Sequence, residues 1–121
     1  MNVKKRVIGS MVIITLIGDL DARAADVMDA EVLSVMPQHA ELLLDLSKVG
    51  RLSRSGIRAL LMVYRQGQCL NSSVALVGLP AEVRAALSAS GFLGFFQVAD
   101  SVNDGIALLA GESERGECVH A

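Results

Sequence analysis

The stretch Lys4-Lys5-Arg6-Val7-Ile8-Gly9-Ser10-Met11-Val12-Ile13-Ile14-Thr15-Leu16-Ile17 decides how the chain is read. Three cations ahead of an apolar run, with Ala22-Arg23-Ala24 downstream, outline a secretory signal. Three details oppose that outline. Gly9-Ser10 divides the run into two short β-branched pieces, which is the chemistry of a hairpin turn between strands. Asp19 and Asp21 stand between the run and the imitation cleavage site. Cleavage after Ala24 would also remove the only candidate strands at the start of the chain. The stretch therefore reads as a structural hairpin. No other run approaches the ~18 apolar residues of a membrane span, so no membrane insertion is expected and the chain is expected to be cytoplasmic.

Beyond the hairpin, Asp21 to Met36 has helical spacing, with Ala25, Met28, Val32 and Val35 or Met36 on one face, and Pro37 ends it. Glu41-Leu42-Leu43-Leu44-Asp45-Leu46 is a continuous apolar run, as in a strand buried on both faces. After a polar loop from Ser47 to Arg54, Ile57, Leu60, Leu61 and Tyr64 mark one side of an amphipathic helix. A serine of Ser53-Arg54-Ser55-Gly56 can cap its first turn. Ser73 to Gly78 reads as another buried strand, and Pro80 suits the first turn of a helix carrying Val83 and Leu87 and ending near Gly91. Phe95-Phe96-Gln97-Val98 reads as a last strand, and Ser101 as the cap of a helix through Leu109. The order β-β-α-β-α-β-α-β-α predicts a single α/β domain: a mostly parallel central sheet with an N-terminal antiparallel hairpin and about four helices. It occupies residues 1–110, followed by a polar, flexible tail at 111–121.

The 121 residues are 52% hydrophobic, which excludes a disordered chain, and at this length one domain buries its own core. A formal net charge of -2 and 3% aromatic residues argue against direct nucleic-acid binding, which calls for a basic patch and stacking platforms. The charge is uneven. Between Leu46 and Ala81 there is no acid, while Lys48, Arg51, Arg54, Arg58 and Arg65 are all cationic. Such a stretch in an acidic chain suits a surface that meets a phosphate or an acidic partner.

Motifs for enzyme chemistry are absent. Leu52-Ser53-Arg54-Ser55-Gly56-Ile57 lacks the first glycine of a nucleophile elbow, and the histidines, His39 and His120, stand beside a proline and in the tail. No Walker A or G-x-G-x-x-G sequence occurs. Asp45 at the end of a central strand invites comparison with a phospho-aspartate receiver, but no lysine follows Lys48 to complete that site. Cys69 and Cys118 fit no zinc or redox spacing, and His120 fits poorly in a prenylation box ending Cys118-Val119-His120-Ala121. Neither catalytic residue, metal nor cofactor is expected. The loop Ser47 to Gly56 remains the richest candidate, because the helix start there presents free N–H groups and partial positive charge beside Arg54 and Arg58. The competing reading is that Ser53 or Ser55 merely caps the helix.

Four segments in order resemble one family, the bacterial anti-sigma factor antagonists built on the STAS domain. Gly18-Asp19-Leu20-Asp21 is similar to the family's G-x-L-D turn, and Leu44-Asp45-Leu46-Ser47-Lys48-Val49 to its D-L-S-x-V strand. Ser53-Arg54-Ser55-Gly56-Ile57-Arg58-Ala59-Leu60-Leu61 resembles its D-S-S-G-L or S-S-A-G-L-R-x-L-L segment, and Val77-Gly78-Leu79-Pro80-Ala81-Glu82-Val83 its later strand-to-helix passage. The resemblance covers roughly residues 3 to 110.

It implies partner switching. An unphosphorylated antagonist binds an anti-sigma factor that is also a serine kinase; phosphorylation of the serine before the glycine breaks the complex, and a PP2C-type phosphatase resets it. By motif position the acceptor is Ser55, and the implied partner-binding set is Asp19, Asp21, Ser53, Arg54, Ser55, Gly56 and Arg58. Two positions depart from the family pattern: Ser53 replaces its common aspartate, and Arg54 replaces the first serine of the pair. Recognition by the kinase is therefore expected to differ. The alternatives are a non-signalling STAS accessory subunit of a transport or scaffold complex and, from another class, a small serine hydrolase nucleophilic at Ser55.

Overall fold

The run of leucines at positions 42–44 is uninterrupted because its strand is covered on both faces. The computed structural model describes residues 2–35 and 41–109. In it, β1 (Asn2–Ile8), β2 (Met11–Ile17), β3 (Glu41–Lys48), β4 (Ser73–Val77) and β5 (Gln97–Ala99) form one sheet in the order β1-β2-β3-β4-β5. The β1–β2 pair is antiparallel and every other pair parallel. The opening stretch is thus a hairpin: Ile8 pairs with Met11 around Gly9-Ser10, and Gly9 has φ +60°, the conformation that favours glycine at the first position of a two-residue turn. Lys4, Lys5 and Arg6 lie within β1 and are exposed at the edge of the sheet, where charge discourages pairing with another chain.

Three helices, α1 (Ala22–Val35), α2 (Arg54–Cys69) and α3 (Ala81–Ala89), cover one face of the sheet. Crossovers between neighbouring parallel strands are right-handed, and here they all advance in one direction, so α1, α2 and α3 fall on the same side. That face holds the main core: Val12, Ile14, Leu16, Leu42, Leu44, Leu46, Val74 and Leu76 pack under the helices. Each large side chain fully buried there stabilises the fold by roughly 1.5–3 kcal/mol. The opposite face is covered by α4, helical residues 102–109, over a smaller cluster of Met11, Ile13, Leu43, Ala75, Val77 and Leu109. β3 contributes to both clusters, which accounts for its unbroken apolar run.

The expected element order is the observed one, with local differences. The last strand is Gln97–Ala99 rather than 95–98, because Leu93–Phe95 form a 3₁₀ turn and Phe96 turns into the core. Pro80 is the N-cap of α3 rather than part of its first turn, while Val83 and Leu87 are buried as expected. The buried side of α2 is Gly56, Ala59, Leu60, Val63 and Gly67; of the expected stripe only Leu60 is fully buried, with Ile57, Leu61 and Tyr64 at its margins. Small residues decide this rotation. A Cβ at Gly67 would lie 2.9 Å from Val74 Cγ2 and 3.0 Å from the Ser72 carbonyl, so the helix sits closer to the sheet than a stripe of large residues would allow. The expectations for Met36, Pro37 and His39, and for the tail with Cys118 and His120, lie outside the described residues.

Candidate functional site: the start of helix α2

The chain leaving β2 and the chain leaving β3 run side by side beyond the sheet. Gly18 N donates to the Lys48 carbonyl at 3.1 Å, and Leu20 N donates to the Arg51 carbonyl at 2.8 Å. Ser53 then closes the junction twice over: its N–H and its hydroxyl both donate to the Leu20 carbonyl, at 3.1 and 3.0 Å. These bonds fix where α1 and α2 begin relative to one another.

Ser53 is also the N-cap of α2. It has extended backbone, and its Oγ accepts from Gly56 N at 3.1 Å, satisfying one of the orphan donors of the first turn. Gly56 is buried against the same junction. A Cβ there would collide with the Leu20 carbonyl oxygen and come within 2.9 Å of the Leu20 and Leu52 side chains. The S-x-x-G spacing thus has a mechanical meaning: the serine caps, and the glycine lets the helix start against the neighbouring backbone.

One of the two serines caps the helix. Ser53 does so, half-buried and fully engaged, whereas Ser55 is the second residue of the helix, exposed, with no hydrogen bond to its hydroxyl among the described residues. Arg54 and Arg58 are exposed on either side of it in sequence. The first turn of α2 contains no acid. An added anion on Ser55 therefore meets a helix N-terminus whose partial positive charge is uncompensated, with the Arg58 guanidinium three residues away on the same helix face.

The other implied partner-binding residues are positioned less directly. Asp21 caps α1, its Oδ1 accepting from Ala24 N at 3.0 Å. Asp19 is exposed, and its Oδ1 occupies the space 2.8 Å from where a Cβ on Gly50 would lie. Neither lines the groove that contains Ser55. That groove runs between α1 and α2 and is bounded by Ala22, Ala25, Asp26 and Asp29 on one side and Ser55, Arg58, Ala59 and Met62 on the other. Asp26 and Asp29 are site residues that sequence reasoning missed; their spacing of three on the polar face of α1 was the available signal. Partial burial, and then the neighbouring Asp26 carboxylate, push the Asp29 carboxyl above its ordinary value. No ion pair among the described residues joins Arg58 to these carboxylates.

The chain can be placed among known proteins. It matches the STAS domain over residues 2–105. It is 30% identical over 95 residues to BtrV of Bordetella bronchiseptica, named as a candidate anti-sigma factor antagonist, covering 78% of this chain and 82% of that one. The fold is that of the anti-sigma factor antagonist SpoIIAA of Bacillus in its unphosphorylated form, with a TM-score of 0.78 at 18% identity over 91% of this chain and 97% of that chain. SpoIIAA in its phosphorylated form superposes with a TM-score of 0.70 at 16% identity, over 89% of this chain and 99% of that one. The same fold forms 18% of the murine anion transporter Slc26a9, with a TM-score of 0.77 at 20% identity over 88% of this chain. Among the described residues, no helix is long and apolar enough to cross a membrane. The match across nearly all of the sheet and its helices, together with the identity to BtrV, places the chain in the STAS domain family.

Proposed function

We propose that the chain is an anti-sigma factor antagonist: a cytoplasmic binding protein, not an enzyme, that regulates transcription indirectly by partner switching. In this reading the unmodified start of α2 docks on an anti-sigma factor serine kinase. Phosphorylation of Ser55 ends that contact, and a PP2C-type phosphatase restores it. The observation that carries the reading is the division of labour between two serines. Ser53 is committed to holding the helix start, so Ser55 is free to be modified without loss of the cap. The identity to BtrV supports the same role.

The physics of the switch follows from that position. A phosphoserine carries about -1.5 to -2 charges at neutral pH. At the second position of α2 the helix dipole favours that charge, so the domain is expected to keep its fold on modification. The effect falls on the surface instead. A dianion in the centre of an interface must be desolvated, and like-charge contact there costs several kcal/mol, enough to weaken a complex by about 100-fold. Arg54 and Arg58 flank Ser55 and the Asp26 and Asp29 carboxylates of α1 face it, so the unmodified groove is near charge balance and a phosphate makes it acidic.

The reading is tested by incubating the chain with ATP and candidate partner kinases and locating phosphate by mass spectrometry. A single phosphate on Ser55 is expected, with Ser55→Ala binding the kinase constitutively and Ser55→Asp poorly. Equal binding by the two variants would overturn it and favour an accessory subunit whose docking ignores phosphate.

A further inference from the structure

Beyond Ser55, α2 carries a second groove. Its walls are Arg58, Leu61, Met62, Tyr64, Arg65 and Phe95, and it encloses about 450 Å³. Two of these side chains are large, apolar and unusually open: Met62 is 44% and Phe95 52% exposed. Phe95 is held there by the 3₁₀ turn that displaced the expected strand. Its ring lies against Tyr64, with centroids 5.8 Å apart, and against Phe92 at 6.0 Å, so the aromatic wall is supported from behind. Tyr64 is in turn packed edge-on against the buried Phe96 at 5.5 Å.

The rim is charged with one sign. Arg58 and Arg65 are both exposed and stand seven residues apart on α2, about 10 Å along the helix axis. The acids of α1 line the neighbouring groove and not this one. An apolar floor between two guanidiniums complements an apolar side chain flanked by carboxylates about two helical turns apart. We infer that this groove docks an acidic amphipathic helical segment of a partner protein, its apolar residue against Met62 and Phe95 and its carboxylates on Arg58 and Arg65. An oligonucleotide is the weaker fit, because two arginines are few phosphate contacts for a chain whose net charge is -2.

The site goes beyond the Ser55 switch, although the two grooves share Arg58 and Met62 and form one continuous strip along α2. Its test needs no kinase, so its failure leaves the proposed function standing. The full chain, isotopically labelled, is titrated with a synthetic helical peptide bearing a Leu/Phe stripe bordered by glutamates. The same peptide with lysine in place of glutamate and a short single-stranded oligonucleotide serve as comparators. Saturable amide shifts centred on Leu61, Met62, Arg65 and Phe95 are expected with the acidic peptide, and affinity at least tenfold weaker with the lysine peptide. Arg65→Glu, an exposed change that leaves the spectrum dispersed, and Phe95→Ser should each weaken binding at least tenfold. Shifts elsewhere, none by about 1 mM peptide, equal affinity for the two peptides, or tighter binding of the oligonucleotide would overturn the inference.

Discussion

Helices α2 and α4 start on the same device and are left with opposite electrostatics. Ser53 Oγ accepts from Gly56 N at 3.1 Å, and Ser101 Oγ accepts from Asp104 N at 3.2 Å, each serine capping the third residue of its helix. In α4 that third residue is an aspartate, whose carboxylate already answers the partial charge of the first turn. In α2 it is a buried glycine, and no acid replaces it. Both helices also press a glycine into their surroundings, but Gly105 of α4 faces the Val77 and Leu43 side chains, whereas Gly56 faces the Leu20 backbone. One capping geometry thus serves two ends. At α4 it finishes a structural helix, and at α2 it leaves a helix start uncompensated and ready for an added anion.

The glycines provide the largest effect. Gly56→Ala is expected to cost about 3 kcal/mol, because a carbonyl oxygen in a hydrogen-bonded junction cannot yield to the new methyl group. Gly105→Ala should cost about 1 kcal/mol, since side chains can shift and alanine recovers helix propensity. Urea denaturation of the two variants measures the difference, and equal losses would mean that the Leu20 backbone yields as readily as the side chains around Gly105. Next come the caps. Ser53→Ala should lose about 2 kcal/mol, as it removes the cap and the bond to Leu20 together, against about 1 kcal/mol for the more exposed Ser101→Ala.

Charge gives a smaller effect of opposite sign. Ser55→Asp should stabilise the domain by about 0.3–1 kcal/mol at low salt, by occupying an acid-free first turn. Asn103→Asp at the same position of α4 should gain less, because Asp104 is already present. Thermal melts at two salt concentrations read both, and a destabilised Ser55→Asp would mean that the α2 start is not open to an anion. The smallest effect concerns the groove acids. The folded-state pKa of Asp29 lies above its unfolded value, so the native state holds that proton more tightly and its ionisation at neutral pH costs stability. Asp29→Asn should therefore raise Tm slightly at pH 7. The advantage should vanish as pH falls below the raised pKa and the wild-type carboxyl becomes protonated.

Much of this was legible in the residues before the fold was known. Long apolar runs at 11–17, 41–46 and 73–77 declared the central strands, because burial on two faces leaves little room for polar residues. What escaped was set by small residues and by contacts distant in sequence. The inward face of α2 rests on Gly56, Ala59 and Gly67, which a search for large apolar spacing passes over. Phe95 and Phe96 read as strand, yet one ring points out and the next points in, a distinction made by a 3₁₀ turn with no sequence signature of its own. The roles of Ser53 and Ser55 differ by two positions along the backbone. The cap to Gly56 and the bonds to the Leu20 carbonyl, thirty-three residues away, separate them.

The unreversed strand order has a kinetic consequence. Each strand pairs with its neighbours in sequence, so the sheet can grow in one direction from the β1–β2 hairpin, closing one short crossover at a time. Growth of that kind ends at β5, which has three residues and pairs on one side only. Amide protons of β5 should exchange earliest among the strands that pair in parallel, and those of β3 latest. The Phe95 turn leads directly into β5. The partner-facing wall of the domain would thus assemble last and open first, while the Ser53 junction beside β3 stays closed.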